Sequence, residues 1–180
     1  MESKIYSSGD IREIYFAAGC FWGTEKLFQS IDGIIGTKCG YANGRTDTVP
    51  DYELVCTGCT GYRETVKVTY DRSRISLSQL LKAYFLVIDP TVEKRQGNDI
   101  GDQYQTGIYY TDDETAAAVE KYAEQEKLRY EHFAVETGRL TVFYPAEEYH
   151  QNYLIKNPGG YCHIRPQKIS EVVRVIGTEK

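Results

Sequence analysis

The chain has 180 residues, 41% of them apolar, and a formal net charge of −5, which suits one compact domain with one sizeable core. The acidic balance offers no basic patch for nucleic acid or an anionic membrane surface, and no apolar run approaches the roughly 18 residues needed to cross a bilayer. The start, Met1-Glu2-Ser3-Lys4, lacks the apolar region of a signal peptide, so the expected compartment is the cytoplasm.

In chain order, residues 1–10 are polar and expected at the periphery. Residues 11–18 read as a buried strand, with Ile14, Tyr15, Phe16 and Ala17 as its apolar run. Gly19 breaks it. From Phe21, the positions Leu27, Phe28 and Ile31 recur at helical spacing, and Gly33 stops the helix. Residues 34–41 form a second strand. Residues 42–62, rich in Gly, Thr and Asp, make a long excursion of the kind that is usually functional in a small domain. Residues 64–70 alternate, placing Val66, Val68 and Tyr70 on one face. Ser76 and Gln79 make a capping box, and its helix runs to about Val87.

A second long loop covers 89–106. Residues 107–110 read as a strand, 112–131 as an amphipathic helix, 140–144 as a strand and 147–157 as a short helix. After Pro158-Gly159-Gly160 there is little periodicity until 169–175, so 164–180 are expected to be peripheral. The first six elements match a split βαβ arrangement. The expected class is α+β: a two-layer α/β sandwich with a split βαβ (ferredoxin-like) core and long catalytic loops. No repeat or linker divides the chain, so residues 1–180 are expected to be a single catalytic domain.

Five cysteines, Cys20, Cys39, Cys56, Cys59 and Cys162, are an odd number without a signal peptide, which argues against a stapling disulfide framework. Cys20 sits where a strand ends and a helix begins, facing free N–H groups and the positive end of the helix dipole. Such a position lowers a thiol pKa. Gly19 before it permits a sharp turn, and Phe21 and Trp22 follow it. On position alone, a reactive thiol and a buried structural thiol are equally good readings. Cys56 and Cys59 form a CxxC in the polar excursion rather than at a helix start, and no further ligands follow at zinc spacing, so two incidental loop thiols are the better reading. His132, His150 and His163 are scattered, and none has a claim beside Cys20 from spacing. Glu64, Asp99 and Asp102 match no calcium loop, and no metal is expected.

Gly19-Cys20-Phe21-Trp22-Gly23-Thr24-Glu25 resembles the signature of peptide methionine sulfoxide reductase, the A type. Gly40-Tyr41, Tyr52-Glu53-Leu54-Val55-Cys56, Thr60-Gly61-Tyr62-Arg63-Glu64, Asp89-Pro90-Thr91, Arg95-Gln96-Gly97-Asn98-Asp99 and Gln103-Tyr104 follow in family order. The blocks 143–151, from Phe143-Tyr144-Pro145 to His150-Gln151, and Gly160-Tyr161-Cys162 complete it. Tyr62, Arg63 and Ile88 stand where the family usually has His, Ala and His, and no cysteine follows Cys162.

The resemblance implies an enzyme that reduces methionine-S-sulfoxide, free or in oxidised proteins. It makes Cys20 the nucleophile, Glu64 the acid that protonates the sulfoxide oxygen, and Tyr52 and Tyr104 donors to that oxygen. Asp99 orders the site, Phe21 and Trp22 form the pocket for the S-methyl group, and Cys162 resolves the Cys20 sulfenic acid to a disulfide. Thioredoxin is the implied reductant. No cofactor is required, and the chain is expected to act as a monomer. The rival readings are a thiol peroxidase or disulfide exchanger using Cys20 with Cys56 or Cys59, and a non-catalytic split βαβ binding module.

Overall fold

The computed structural model describes residues 10–178. Strand β1 (Ile11–Ala17) leads through Gly19 into helix α1 (Phe21–Gln29). Strand β2 (Ile34–Ala42) follows, then a short helix α2 (Tyr52–Cys56) inside the 42–62 excursion, and strand β3 (Arg63–Asp71). Ser76 caps α3 (Leu77–Phe85), accepting from the Gln79 N–H while the Gln79 side chain accepts from the Ser76 N–H, which is the expected capping box. The 89–106 loop carries a small hairpin, β4 (Arg95–Gln96) and β5 (Asp99–Ile100), and a 3-10 turn over Asp102–Tyr104. Strand β6 (Gly107–Tyr110), helix α4 (Asp113–Lys127), and strands β7 (Glu136–Arg139) and β8 (Phe143–Pro145) come next. A 3-10 turn (Glu148–His150), α5 (Tyr153–Lys156) and α6 (Pro166–Gly177) complete the described chain.

The main sheet runs β7-β6-β1-β3-β2-β8. β1 is antiparallel to β3 and β6, β2 is antiparallel to β3 and β8, and β7 lies parallel to β6. The crossovers β1–α1–β2 and β3–α3–β6 therefore each return parallel to their start, with one antiparallel strand between. The two-residue period of β1 divides its side chains. Ile14 and Phe16 join Val66 and Val68 in the main core, against Phe28, Leu81, Val119 and Val172 from α1, α3, α4 and α6. Tyr15 and Ala17 face the other way with Ala42 and Tyr109, under Leu140 and Phe143. Helices on one face of a mixed sheet give the α/β layering expected from the sequence.

Several elements differ from expectation. The strand predicted over 140–144 is β8, and a further strand, β7, precedes it where the sequence predicts none. β7 is Glu-Thr-Gly-Arg and has no apolar alternation to read. Its place on the edge comes from parallel pairing with β6 and from Glu136, which takes the Arg63 guanidinium at 2.9 Å and the Tyr109 hydroxyl at 2.9 Å. The 147–157 helix is divided by Asn152, whose φ of 55° is left-handed. Within 164–178, α6 buries Ile169, Val172 and Ile176 in the main core. The expectations for residues 1–9 and 179–180 lie outside the described residues. No helix among the described residues is long and apolar enough to cross a membrane.

Candidate active site

The site is built on the start of α1, whose first N–H groups have no partner within the helix. Each is accounted for locally. The Phe21 N–H donates to Glu64 Oε2 at 3.0 Å. The N–H groups of Trp22 and Gly23 act on the Cys20 sulfur. The Thr24 N–H reaches the Cys20 carbonyl at 3.4 Å. Gly19, at φ +85°, makes the turn that brings β1 into α1, and a Cβ there would lie 2.7 Å from the Gln96 Cβ. Only glycine lets the β4–β5 hairpin approach this closely.

A cavity of about 130 Å³ opens at this point, lined by Cys20, Phe21, Trp22, Tyr52, Glu64, Asp99, Tyr104 and Tyr161. It gathers residues from α1, α2, β3, β5, the 3-10 turn before β6 and the C-terminal segment. All of these except Tyr161 are residues to which the sequence assigns a role. Tyr161 enters there only as part of a matching block, and its hydroxyl donates to Asp99 Oδ2 at 3.1 Å. Cys162 lies outside the cavity wall but against α1, since a Cβ on Gly23 would sit 3.2 Å from its sulfur.

Glu64 is 2% exposed. Burial pushes its carboxyl up from 4.5 to about 8, against the pull of the Phe21 N–H, and Asp99 adds to the rise. At neutral pH it holds its proton. The Cys20 thiol, expected to be acidified at the helix start, is instead driven above its ordinary range by burial, with the charge of Glu64 adding to the rise. The Trp22 and Gly23 N–H groups oppose this and do not outweigh it. The helix-start argument identifies a real but smaller effect; desolvation wins because Cys20 is 7% exposed. Burial also raises the phenols of Tyr52 and Tyr104, so both remain proton donors across the neutral range. Tyr161 is pushed up to about 12 by burial and by its bond to Asp99.

The aromatic wall is held from behind. Trp22 Nε1 donates to His150 Nδ1 at 3.1 Å, and its indole stacks on Tyr153 at 3.7 Å between ring centres. Phe21 is packed against His150 and Tyr41. Glu147 accepts from the Tyr52 N–H and from the Tyr41 hydroxyl, each at 2.7 Å, which anchors α2 to β2. His150, Glu147 and Tyr153 have no role in the sequence reading. The only signal for the first two is membership of the block around Glu147-Glu148-Tyr149-His150-Gln151, and Tyr153 lies just beyond it.

Other candidates are not brought together. Asp102 pairs with Lys94 at 2.9 Å and does not line the cavity. Cys56 and Cys59 are exposed and unpaired, although Cys56 lies beside the Tyr52 side chain. Cys39 is buried under α1, with its sulfur 3.8 Å from the Phe21 carbonyl. The rise of the Glu64 pKa comes from burial and Asp99, not from positions 62 and 63. The Tyr62 hydroxyl instead meets the carbonyls of Arg45 and Thr48 at 3.0 and 2.9 Å, and Arg63 pairs with Glu136.

Comparison with known proteins points to one family. A family model of peptide methionine sulfoxide reductase matches residues 12–179. Peptide methionine sulfoxide reductase MsrA of Clostridium acetobutylicum is 50% identical over 155 residues, covering 86% of this chain and 95% of that protein. Mxr1 from Saccharomyces cerevisiae in reduced form superimposes with a TM-score of 0.83 at 34% identity, over 91% of this chain and 96% of that one. Mxr1 in complex with Trx2 matches with a TM-score of 0.58 at 26% identity, over 84% of this chain and 91% of that one. On family model, sequence identity and fold together, the chain belongs to the peptide methionine sulfoxide reductases of the A type.

Proposed function

We propose that the chain, as a single catalytic domain, reduces methionine-S-sulfoxide with Cys20 as nucleophile and Glu64 as proton donor. The observation that carries this reading is a buried carboxyl, its pKa raised by that burial, sharing one small cavity with a thiol and three phenols. Cys20 attacks the sulfoxide sulfur while Glu64 gives its proton to the oxygen. The Cys20 proton restores Glu64; the protonated oxygen then passes from the methionine sulfur to the Cys20 sulfur as the adduct's S–O and S–S bonds break, so methionine leaves and Cys20 is oxidised to sulfenic acid. A protonated Glu64 also removes the negative charge that opposes thiolate formation at Cys20. Tyr52 and Tyr104 donate to the oxygen, Asp99 orders the site, and Phe21 and Trp22 receive the methyl group. Attacking sulfur, oxygen donors and methyl wall are three fixed points, which suffice to select the S epimer.

Cys162 then resolves the sulfenic acid, forming a Cys20–Cys162 disulfide and releasing water. A thioredoxin dithiol reduces that disulfide and becomes a disulfide itself. The Mxr1 complex with Trx2 supports a thioredoxin as reductant. A thioredoxin reductant fits a reducing, cytoplasmic setting. The test is single-turnover reduction of each sulfoxide epimer. Cys20→Ser abolishes methionine formation. Cys162→Ser keeps one stoichiometric burst and stops thioredoxin-linked turnover. Full turnover by either variant refutes the corresponding role.

A further inference from the structure

We propose that His163 is the base that takes the Cys162 proton when Cys162 attacks the Cys20 sulfenic acid, an inference that rests on Cys162 being the resolving thiol. His163 Nε2 lies 2.9 Å from the Ala18 carbonyl oxygen. A carbonyl only accepts, so Nε2 carries the hydrogen and Nδ1 is left with a bare lone pair. That Nδ1 is buried and has no hydrogen-bond partner, an arrangement proteins rarely leave unused. Burial also lowers the imidazole pKa from its ordinary 6.5, which keeps the ring neutral and able to accept.

Nδ1 and the Cys162 sulfur converge on one point of α1. A Cβ on Gly23 would be 2.7 Å from His163 Nδ1 and 3.2 Å from Cys162 Sγ. Gly23 belongs to the same first turn whose N–H groups act on Cys20. The Cys162 thiol donates to the Ile164 carbonyl at 2.9 Å, a contact that holds the proton but cannot remove it. Burial raises its pKa above the ordinary value, with the Ile164 backbone and then Lys26 of α1 pulling the other way, so it is a thiol at neutral pH. Lys26, as a cation, has no lone pair to offer. His163 Nδ1 is the bare acceptor that shares this face of α1 with the Cys162 sulfur.

The step balances. The Cys162 proton moves to Nδ1, and the sulfur electron pair forms the bond to Cys20. The Cys20 S–O bond breaks, and the departing hydroxide takes the Glu64 proton as water. The imidazolium proton returns through solvent to Glu64. The charged groups facing His163 are Asp99 from β5, which favours the imidazolium, and Arg165, Lys168 and Glu171, which border the groove on its outer side.

The test follows disulfide formation by stopped flow after a single sulfoxide turnover, with the disulfide mapped by peptide analysis. In the unaltered protein the rate levels off once pH passes an inflection below 6.5, and is flat from pH 7 to 8. In His163→Gln, whose amide still offers an N–H to Ala18 but no base, the rate at pH 7 falls about 10²-fold and climbs about tenfold per pH unit until Glu64 loses its proton near pH 8, where the climb stops. A slower variant with the original pH profile marks a purely structural residue and overturns the proposal. If the variant fails to fold, the unaltered protein still decides: a rate rising throughout pH 7 to 9 overturns it. A disulfide mapped to Cys39, Cys56 or Cys59 removes Cys162 as resolving thiol and this inference with it. A Cys20–Cys162 disulfide formed at the original rate in His163→Gln sinks this inference alone.

Discussion

Replacing Glu64 with glutamine should separate the stability of the protein from its chemistry in a pH-dependent way. An unfolded glutamate ionises above 4.5, whereas Glu64 in the native state holds its proton until about 8. Between those values the native state binds more protons than the unfolded one, so rising pH destabilises it. Each pH unit costs about 1.4 kcal/mol, and by pH 7 the accumulated cost is about 3 kcal/mol. The loss is complete above pH 8. The glutamine amide has no proton to release and shows no such slope. The stability of Glu64→Gln relative to the parent should therefore grow by about 3 kcal/mol from pH 4.5 to pH 7. For a chain of this size that corresponds to a relative gain of about 6–12 °C in Tm. Urea unfolding of both proteins at a series of pH values reads the difference directly. The same variant should slow the first chemical step by about 10²–10⁴-fold, since it has lost its acid. A stability difference that stays flat from pH 4.5 to 8 would mean that Glu64 ionises as an ordinary surface carboxyl, and the acid role would fall with it.

Two further substitutions probe the surroundings. Gly23→Ala should gain up to about 1 kcal/mol of helix propensity if nothing opposed it. Here the new methyl meets His163 Nδ1 at 2.7 Å, so the Cys162–His163 segment must lift from α1. The expected result is faster labelling of Cys162 by a thiol reagent and a slower resolving step; unchanged labelling and resolving rates would contradict the packing. Tyr62→Phe removes a hydroxyl that holds the loop carbonyls of Arg45 and Thr48 and should cost about 1 kcal/mol in urea unfolding. It should leave the pH profile of the first step in place, and a shift of a full unit would tie Tyr62 to the acid after all.

The legible parts of the fold are those with local causes. β1, α1, β3 and α3 follow from period, from Gly19 and Gly33 as breaks, and from the Ser76–Gln79 box. β7 and α6 escape the sequence for opposite reasons. β7 has no pattern of its own and exists through its partner strand, while α6 carries helical spacing at Ile169, Val172 and Ile176 that a Gly-rich approach obscures. In the site, Cys20 is visible as a helix-start thiol, but its pKa is set by burial, which depends on residues up to the C-terminal segment. Glu64, Asp99 and Tyr104 are placed by resemblance to a family and not by any spacing. His150 and His163 are unreadable because each reaches α1 only through the tertiary return of residues 147–165.

The small size of the cavity sets what the enzyme is able to recognise. At about 130 Å³ it is well below the roughly 300–1,000 Å³ of pockets that enclose a whole drug-sized ligand. It has room for the oxidised tip of one side chain and none for the residues on either side. On the proposed function, selection among protein sites is thereby handed largely to the client: a damaged methionine that protrudes can enter, and one packed in a core is invisible until its host opens. The rate at which such a core is mended is then a measurement of how often it breathes.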